Sequence, residues 1–129
     1  GYLKNHKIPT TPNELTQLNC LHYGNLPTGG VWRLQKDQES MDVRVNGLLC
    51  SNNADVLCEA AINGLGIAML PMFIAGPAIQ ARTLTIILPD YHPPRIFLSL
   101  LYPPNRHLST RNRLLVKFLQ DWFAKYPAL

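Results

Sequence analysis

The 129-residue chain lacks the marks of several protein classes. No apolar run approaches the roughly 18 residues that a membrane-spanning helix needs, which excludes an integral membrane protein. Its three cysteines, Cys20, Cys50 and Cys58, fit neither a disulfide framework nor a CxxC metal knuckle, and we interpret them as reduced thiols of a cytoplasmic protein. The first residues lack the apolar core of a signal peptide. Because the sequence does not begin with Met, we expect the natural chain to start upstream.

Motifs of common catalytic sites are also missing. The sequence contains no GxSxG, HExxH or GxxxxGK[ST] pattern, and its sparse acidic residues form no pair suited to acid–base catalysis. Cys20-x-His22 is the one close Cys/His pair, and two ligands are too few for a metal site. Gly64-x-Gly66 closes a predicted helix, so it is not a dinucleotide fingerprint. We therefore predict no enzyme, no metal and no cofactor.

The composition is that of a globular domain. Apolar residues make up 47% of the chain and charged residues 16%, and the mean hydropathy is −0.03. The net charge of +4 permits acidic partners, but the basic residues are scattered. The densest basic group runs from Arg106 to Arg113. Together with Lys117, Arg106, Arg111 and Arg113 fall around a predicted helix whose other side is apolar. We interpret this helix as a packing element and not as a DNA-binding one.

Eleven prolines divide the chain into short elements. Periodicity and turn residues predict helices over residues 2–7, from Pro12 onward, and over 54–63, 71–81 and 109–125. They predict strands over 20–23, 31–34, 41–49, 67–70, 84–88 and 96–102. Thr11 and Glu14 suggest a capping box, Asn52 or Asn53 a helix cap, and Gly64 a helix end. Gly76-Pro77 is expected to kink or split its helix, and the proline-rich stretch 89–94 to join two lobes.

The strand ending at Cys50, the helix over 54–63 and the strand over 67–70 form a βαβ unit, which favours parallel pairing. In open α/β sheets, ligands bind beyond the carboxyl ends of the strands, where helix N-termini offer free amides. Candidate ligand contacts are the residues that follow three predicted strands: Ser51, Asn52 and Asn53; Gly24 and Asn25; Pro71 and Met72. Asn52 or Asn53 could instead serve only as a cap. Arg33 and Arg44 could hold an anion, although strand arginines are more often solvated.

Several segments, in this order, resemble the effector-binding region of LysR-type transcriptional regulators. The most specific are the strand–Asn–helix–Gly-Leu-Gly-Ile-Ala–strand–Leu-Pro unit over residues 45–71 and the Tyr-Pro-x-x-Arg-His-Leu-Ser run over 102–109. The segments TPNELTQLNCL and LTIILPDYHPP agree in position as well. Arg82, where the family commonly has a small residue, and Gly76-Pro77 depart from the pattern. The resemblance nevertheless extends over nearly the whole chain.

The resemblance implies an α/β, periplasmic-binding-protein-like (type II) fold with a mixed sheet, flanking helices and an effector cleft between two lobes. Residues 1–91 would form the second lobe, and residues 92–129 would supply a strand and the last helix of the first lobe. The rest of that lobe and the DNA-binding domain would precede residue 1. Implied partners are a small-molecule effector, with an anion as one candidate, and further subunits of a homodimer or homotetramer. DNA and RNA polymerase would bind the full-length protein and not this fragment, and no membrane is involved.

Two other functions fit part of the pattern. A solute-binding protein of a transport system shares the fold, but it needs a secretion signal, and free cysteines suit an extracytoplasmic protein poorly. A small α/β enzyme would need a catalytic set that the sequence does not show. The sequence therefore favours a cytoplasmic, effector-sensing regulatory domain.

Overall fold

The structure, a computed structural model, describes residues 1–24, 30–95, 97, 99–101 and 109–125. The strands are β1 (Cys20–Tyr23), β2 (Gly30–Lys36), β3 (Glu39–Val45), β4 (Cys50–Ser51) and β5 (Ile67–Ala68). The α-helices are α1 (Ala54–Ile62), α2 (Met72–Gln80) and α3 (Thr110–Lys125), and short 3-10 helices cover Tyr2–Lys4 and Pro12–Gln17. The chain divides into two units, Gly1–Pro94 and Arg95–Leu129. None of the described helices is long and apolar enough to cross a bilayer.

A parallel three-stranded sheet carries the first unit, with β1 between β4 and β5. His22 of β1 lies opposite Cys50 of β4, and Cys20 lies opposite Ile67 of β5. The connection from β4 through α1 to β5 therefore passes over β1, which confirms the predicted βαβ unit and its parallel pairing. Helix α1 covers one face of this sheet, where Leu57 packs in a small core with Leu21 and Ala60.

An antiparallel hairpin of β2 and β3 covers the other face. Trp32 and Leu34 of β2 and Val43 and Val45 of β3 point inward, because side chains alternate across a strand. These side chains pack against Cys20 and Ile67, the first residues of β1 and β5. The main core contains Leu15, Cys20, Trp32, Leu34, Val43, Val45, Ile67 and Leu88. The predicted strand over 41–49 is too long: β3 ends at Val45, and Leu48 is 93% exposed. The chain turns there because the amide of Leu48 donates to Asn19 Oδ1 at 2.8 Å.

The first predicted helices are 3-10 helices, and their capping differs from the expected box. Thr11 precedes the helix Pro12–Gln17, but its side chain makes no capping hydrogen bond. The Glu14 carboxylate instead accepts the amide of Thr10 at 2.8 Å, a hydrogen bond that lowers the pKa of Glu14. The predicted capping box is therefore wrong: Glu14 accepts the amide of Thr10, one residue before the predicted partner Thr11. The predicted helix over 2–7 is confined to Tyr2–Lys4.

The predicted strand over 84–88 is wrong. After α2, Arg82 takes a left-handed φ of 60°, and the amides of Thr83 and Leu84 both return to the carbonyl of Ala78. No described strand pairs with residues 84–88, so these residues run irregularly until Leu88 enters the core. Helix α2 itself continues through Gly76 and Pro77, so the expected split does not occur.

Residues 88–92 run along the edge of β2 that does not pair with β3, and His92 hydrogen-bonds to that strand. Gln35 and His92 exchange both backbone hydrogen bonds, at 2.7 and 2.8 Å. The ammonium of Lys36 lies 3.6 Å from the Asp90 carboxylate and 5.3 Å from the centre of the Tyr91 ring. The segment that leads to the second unit is thus held by backbone, ionic and cation–π contacts.

In the second unit, α3 begins where the sequence predicts, after Ser109, whose hydroxyl accepts the amide of Asn112 at 3.3 Å. The described part of α3 runs to Lys125, and its predicted end there stays a prediction because residues 126–129 lie outside the described residues. The predicted strand over 96–102 is not present at residues 97 and 99–101, while Ile96, Leu98 and Tyr102 lie outside the described residues. None of the described residues from Arg95 to Lys125 is buried.

Candidate functional site

The carboxyl ends of β1 and β4 meet at one edge of the parallel sheet. Tyr23 pairs with Ser51 at the end of the two strands, and the amide of Gly24 donates to the Ser51 carbonyl at 3.1 Å. Strand β5 runs parallel to both, so residues after it approach the same edge. We call this the carboxyl edge; the sequence-predicted residues along it that the structure describes are Gly24, Ser51, Asn52, Asn53, Pro71 and Met72. Asn25 lies outside the described residues.

Ser51 and Asn53 are turned toward the start of α1. Asn53 Oδ1 accepts the amide of Asp55 at 2.8 Å, which makes Asn53 the helix cap. Ser51 Oγ accepts the amide of Asn53 at 3.1 Å. The first amides of a helix have no intrahelical acceptor, and those of Ala54 and Val56 donate to no acceptor among the residues that the structure describes, so they are available to a ligand oxygen. Two of the candidate side chains therefore shape the helix end, and the backbone supplies the donors.

Asn52 and the start of α2 offer different chemistry. Asn52 is exposed, and its side chain forms no hydrogen bond with any residue that the structure describes. Pro71 occupies the cap position of α2, where its carbonyl accepts the amides of Ile74 and Ala75 at 3.1 and 3.0 Å. Met72 is 56% exposed beside it. The carboxyl edge thus combines a free amide side chain with an apolar surface.

His22 is a residue that sequence reasoning did not connect with this edge. It precedes Gly24 by two positions, and its buried Nδ1 hydrogen-bonds to none of the described residues. A Cβ at Gly30 would lie 1.8 Å from the imidazole Cε1, so the ring can occupy this position only while residue 30 is glycine. Beside it, the Cys50 thiol donates to the Gly24 carbonyl at 3.1 Å. Its position near the carboxyl end of a predicted strand is the feature of the sequence that could have identified His22 as part of this edge.

The thiols and the described acidic residues do not assemble a metal site. Within the described ranges, no three His, Cys, Asp or Glu side chains lie close enough to hold a metal ion. Burial raises the pKa of the Cys20 thiol to about 12. The pKa of Cys58 is also raised, first by burial and then by the charges of Glu59 and Asp55. Both thiols therefore stay protonated at neutral pH and are poor nucleophiles.

The two candidate arginines lie on the outward face of the hairpin. Arg33 makes a bidentate pair with Asp42, with Nε–Oδ1 and Nη2–Oδ2 distances of 2.7 and 2.9 Å. Hydrogen bonding to Asp42 raises the pKa of Arg33, and the same contact lowers the pKa of Asp42. Arg44 is exposed opposite Val31. Arg33 is therefore already engaged, whereas Arg44 remains open to solvent.

Sequence comparison places the chain among known proteins. Residues 1–124 match the family model described as the LysR substrate binding domain. The chain belongs to the LysR substrate-binding domain family. An uncharacterized HTH-type transcriptional regulator of Haemophilus influenzae is 35% identical over 111 residues, which are 86% of this chain and 38% of that protein. The regulator PgrR of Escherichia coli is 30% identical over 122 residues, which cover 92% of this chain and 40% of PgrR.

Solved structures agree with the LysR assignment. The full-length Vibrio cholerae virulence activator AphB, described as a member of the LTTR family, aligns with 70% of this chain and 31% of its own, at 26% identity and a TM-score of 0.61. The regulatory domain of AphB from Vibrio vulnificus shows the fold over 94% of this chain and 60% of its own, with a TM-score of 0.67 at 24% identity. The periplasmic-binding-protein-like α/β fold is therefore confirmed. The chain spans about two fifths of its curated relatives' length.

Proposed function

We propose that this LysR-type domain binds a small-molecule effector at the carboxyl edge. The observation that supports this most is the Gly24–Ser51 backbone hydrogen bond, which joins the ends of β1 and β4 beside the first turn of α1. Ends of parallel strands next to a helix N-terminus are a common ligand position in α/β folds. The relatives are named as transcriptional regulators, which favours effector sensing over the transport and enzyme alternatives.

Each part of the edge has a proposed role. The Asn52 amide and the backbone amides of Ala54 and Val56 would hydrogen-bond polar atoms of the effector. Pro71 and Met72 would contact its apolar part, with Gly24 and Asn25 completing the edge. Asn53 and Ser51 would act through the helix cap. The expectation of an anionic effector rests on the helix amides, since no Lys or Arg occurs between Arg44 and Arg82.

We also propose a division of the chain into two lobes of a longer cytoplasmic regulator. Residues 1–91 would form the second lobe, and residues 92–129 would add a strand and α3 to the first lobe. A DNA-binding domain elsewhere in that protein would contact DNA, and a dimer or tetramer would engage RNA polymerase. The effector would shift the regulator between states only by its differential affinity for them.

A reporter assay with the full-length regulator tests the effector site. We expect Asn52→Leu to abolish the response to the inducing compound by removing a hydrogen-bonding side chain, while operator binding without inducer stays unchanged. The matched control is Asn13→Leu, which makes the same substitution at an exposed asparagine away from the carboxyl edge, in the 3-10 helix Pro12–Gln17. An unchanged dose response in Asn52→Leu would show that the effector binds elsewhere. Loss of operator binding in both variants would point to a folding defect instead.

A further inference from the structure

His22 reaches the carboxyl edge from the side of the sheet that the hairpin covers. Side chains alternate along β1, so that Cys20 packs in the main core with the hairpin and Leu21 packs against α1. His22 therefore lies on the same side as Cys20, beside its pairing partner Cys50 of β4. Because α1 covers the opposite side of the sheet, the imidazole and the first turn of α1 approach the edge from two directions.

Two glycines fix the orientation of the His22 ring. The ring occupies the space that a side chain at residue 30 would need, so it packs directly on the backbone of Gly30. A Cβ at Gly24, where φ is +153°, would lie 3.3 Å from Nε2 and 3.7 Å from Cδ2 of the ring. The Nε2 atom is thus held beside Gly24 at the carboxyl edge. A group that is already held in place loses little conformational entropy when it binds a ligand.

The surroundings of the other ring nitrogen decide where the proton lies. Nδ1 is buried and hydrogen-bonds to none of the residues that the structure describes. The thiol of Cys50 donates its proton to the Gly24 carbonyl at 3.1 Å and is not a donor to the ring. In protein interiors, N–H groups without an acceptor are rarer than acceptors without a donor. In its neutral form, His22 therefore carries the proton on Nε2, which gives the carboxyl edge a fixed N–H donor.

We infer that His22 contacts the effector directly, with Nε2–H donating to an acceptor oxygen of that molecule. This inference rests on the effector site proposed above. An effector over the ends of β1 and β4 would meet the amides of Ala54 and Val56 on the α1 side and the imidazole on the hairpin side. All of these groups are hydrogen-bond donors. The chemical class that fits them is a small molecule with at least two acceptor oxygens, of carboxylate, carbonyl or hydroxyl groups.

Dose–response curves of a reporter controlled by the full-length regulator test this contact. We expect His22→Leu, which removes both ring nitrogens, to raise the inducer concentration for half-maximal response about tenfold, the effect of losing one hydrogen bond. His22→Gln retains an amide donor and should restore the response to within about threefold of the wild type. His92→Leu, the same substitution at an exposed histidine opposite the far end of β2, is the matched control.

The Asn52→Leu variant separates this inference from the proposed site. If Asn52→Leu abolished the response while His22→Leu left the curve unchanged, the effector site would stand and the inference about His22 would be overturned. Unchanged curves in both variants would overturn both. A response that His22→Leu weakens and His22→Gln restores supports the contact, since a space-filling role alone would not distinguish a donor from an apolar side chain.

Acetate is a probe that can be used without knowledge of the inducer and without a substitution that could unfold the protein. In the full-length regulator labelled with ¹⁵N-histidine, we expect the His22 ring to be the Nε2–H tautomer and its Nε2 signal to move on titration with sodium acetate. The absence of this signal in His22→Gln assigns it, and sodium chloride at equal ionic strength is the control. A proton on Nδ1, or an Nε2 signal that acetate does not move, would overturn the inference.

Discussion

The side chain of Asn19 accepts the amide of Leu48 through Oδ1 at 2.8 Å, just before β4 begins. Its Nδ2 donates to the carbonyl of Leu65, which precedes β5. The backbone carbonyl of Asn19 accepts the amide of Ile67 at 2.9 Å, and its amide donates to the Tyr2 hydroxyl at 2.8 Å. One residue ahead of β1 thus holds the chain at the entrance of both neighbouring strands.

We expect Asn19→Ala to destabilise the chain by about 2 kcal/mol, because the Leu48 amide and the Leu65 carbonyl both lose their partner. Urea denaturation followed by circular dichroism measures the change. The control is Asn13→Ala, which removes an exposed amide side chain that forms no hydrogen bond with any described residue. It should change the free energy of unfolding by less than about 0.5 kcal/mol. Equal midpoints for the two variants would show that Asn19 does not fasten the strand ends.

The cap of α1 gives a second prediction. Asn53→Ala should cost about 1 kcal/mol, since Asn53 Oδ1 satisfies the amide of Asp55. Asn52→Ala, one residue earlier, is the control and should be near neutral. Thermal or urea denaturation of both variants measures the difference. If Asn52→Ala proved the more costly change, the cap would have been assigned to the wrong residue.

Substitution of glycine by alanine should have opposite effects on stability at Gly47 and Gly76. A Cβ at Gly47 would lie 1.9 Å from the carbonyl oxygen of Cys20, which is buried backbone and cannot move aside. Gly47→Ala should therefore destabilise the fold by about 2 kcal/mol or more. A Cβ at Gly76 meets nothing within 4 Å, and Gly76 lies inside α2. Gly76→Ala should stabilise by about 0.5 to 1 kcal/mol, because alanine favours the helix.

The Arg33–Asp42 pair predicts a pH dependence. The folded pKa of Asp42 is lowered by its hydrogen bonds with Arg33, so the pair favours the folded state above the ordinary value of 3.8. This contribution is lost as the pH falls from there through the lower folded pKa. NMR titration of the Asp42 carboxyl should show the low midpoint, and Arg33→Gln should return it toward the ordinary value. Arg44→Gln should leave it unchanged, and a midpoint insensitive to both would contradict the pairing.

Local patterns in the sequence predicted the parts of the fold that depend on near neighbours. The alternation through Val43 and Val45 located β3, and Asn53 followed by the apolar periodicity of α1 located its start. The prediction of a strand over residues 84–88 was wrong because the apolar content of a segment cannot show whether another strand lies beside it. The turn at Gly47 was missed for a similar reason, since it depends on Asn19, 28 residues earlier in the chain.

The candidate site was predictable to a similar degree. The rule that ligands bind at strand carboxyl ends selected Gly24 and Ser51, which the structure joins by a hydrogen bond. It could not show that Ser51 Oγ and Asn53 Oδ1 turn back to backbone amides. Nor could it show the contact of His22 with Gly30, which joins the end of β1 to the start of the hairpin. Side-chain direction at the edge depends on three-dimensional packing.

The central position of β1 has a consequence for the order of folding. His22 and Cys20 emerge first during synthesis, but their partners Cys50 and Ile67 follow 28 and 47 residues later. The β2–β3 hairpin needs only adjacent residues and can close within microseconds. Pairing of β1 must wait for long-range closure, which slows folding in proteins with distant contacts. The strand at the centre of the sheet therefore stays unpaired until both distant partners are available, and unpaired strand edges are sites where chaperones bind and aggregation begins.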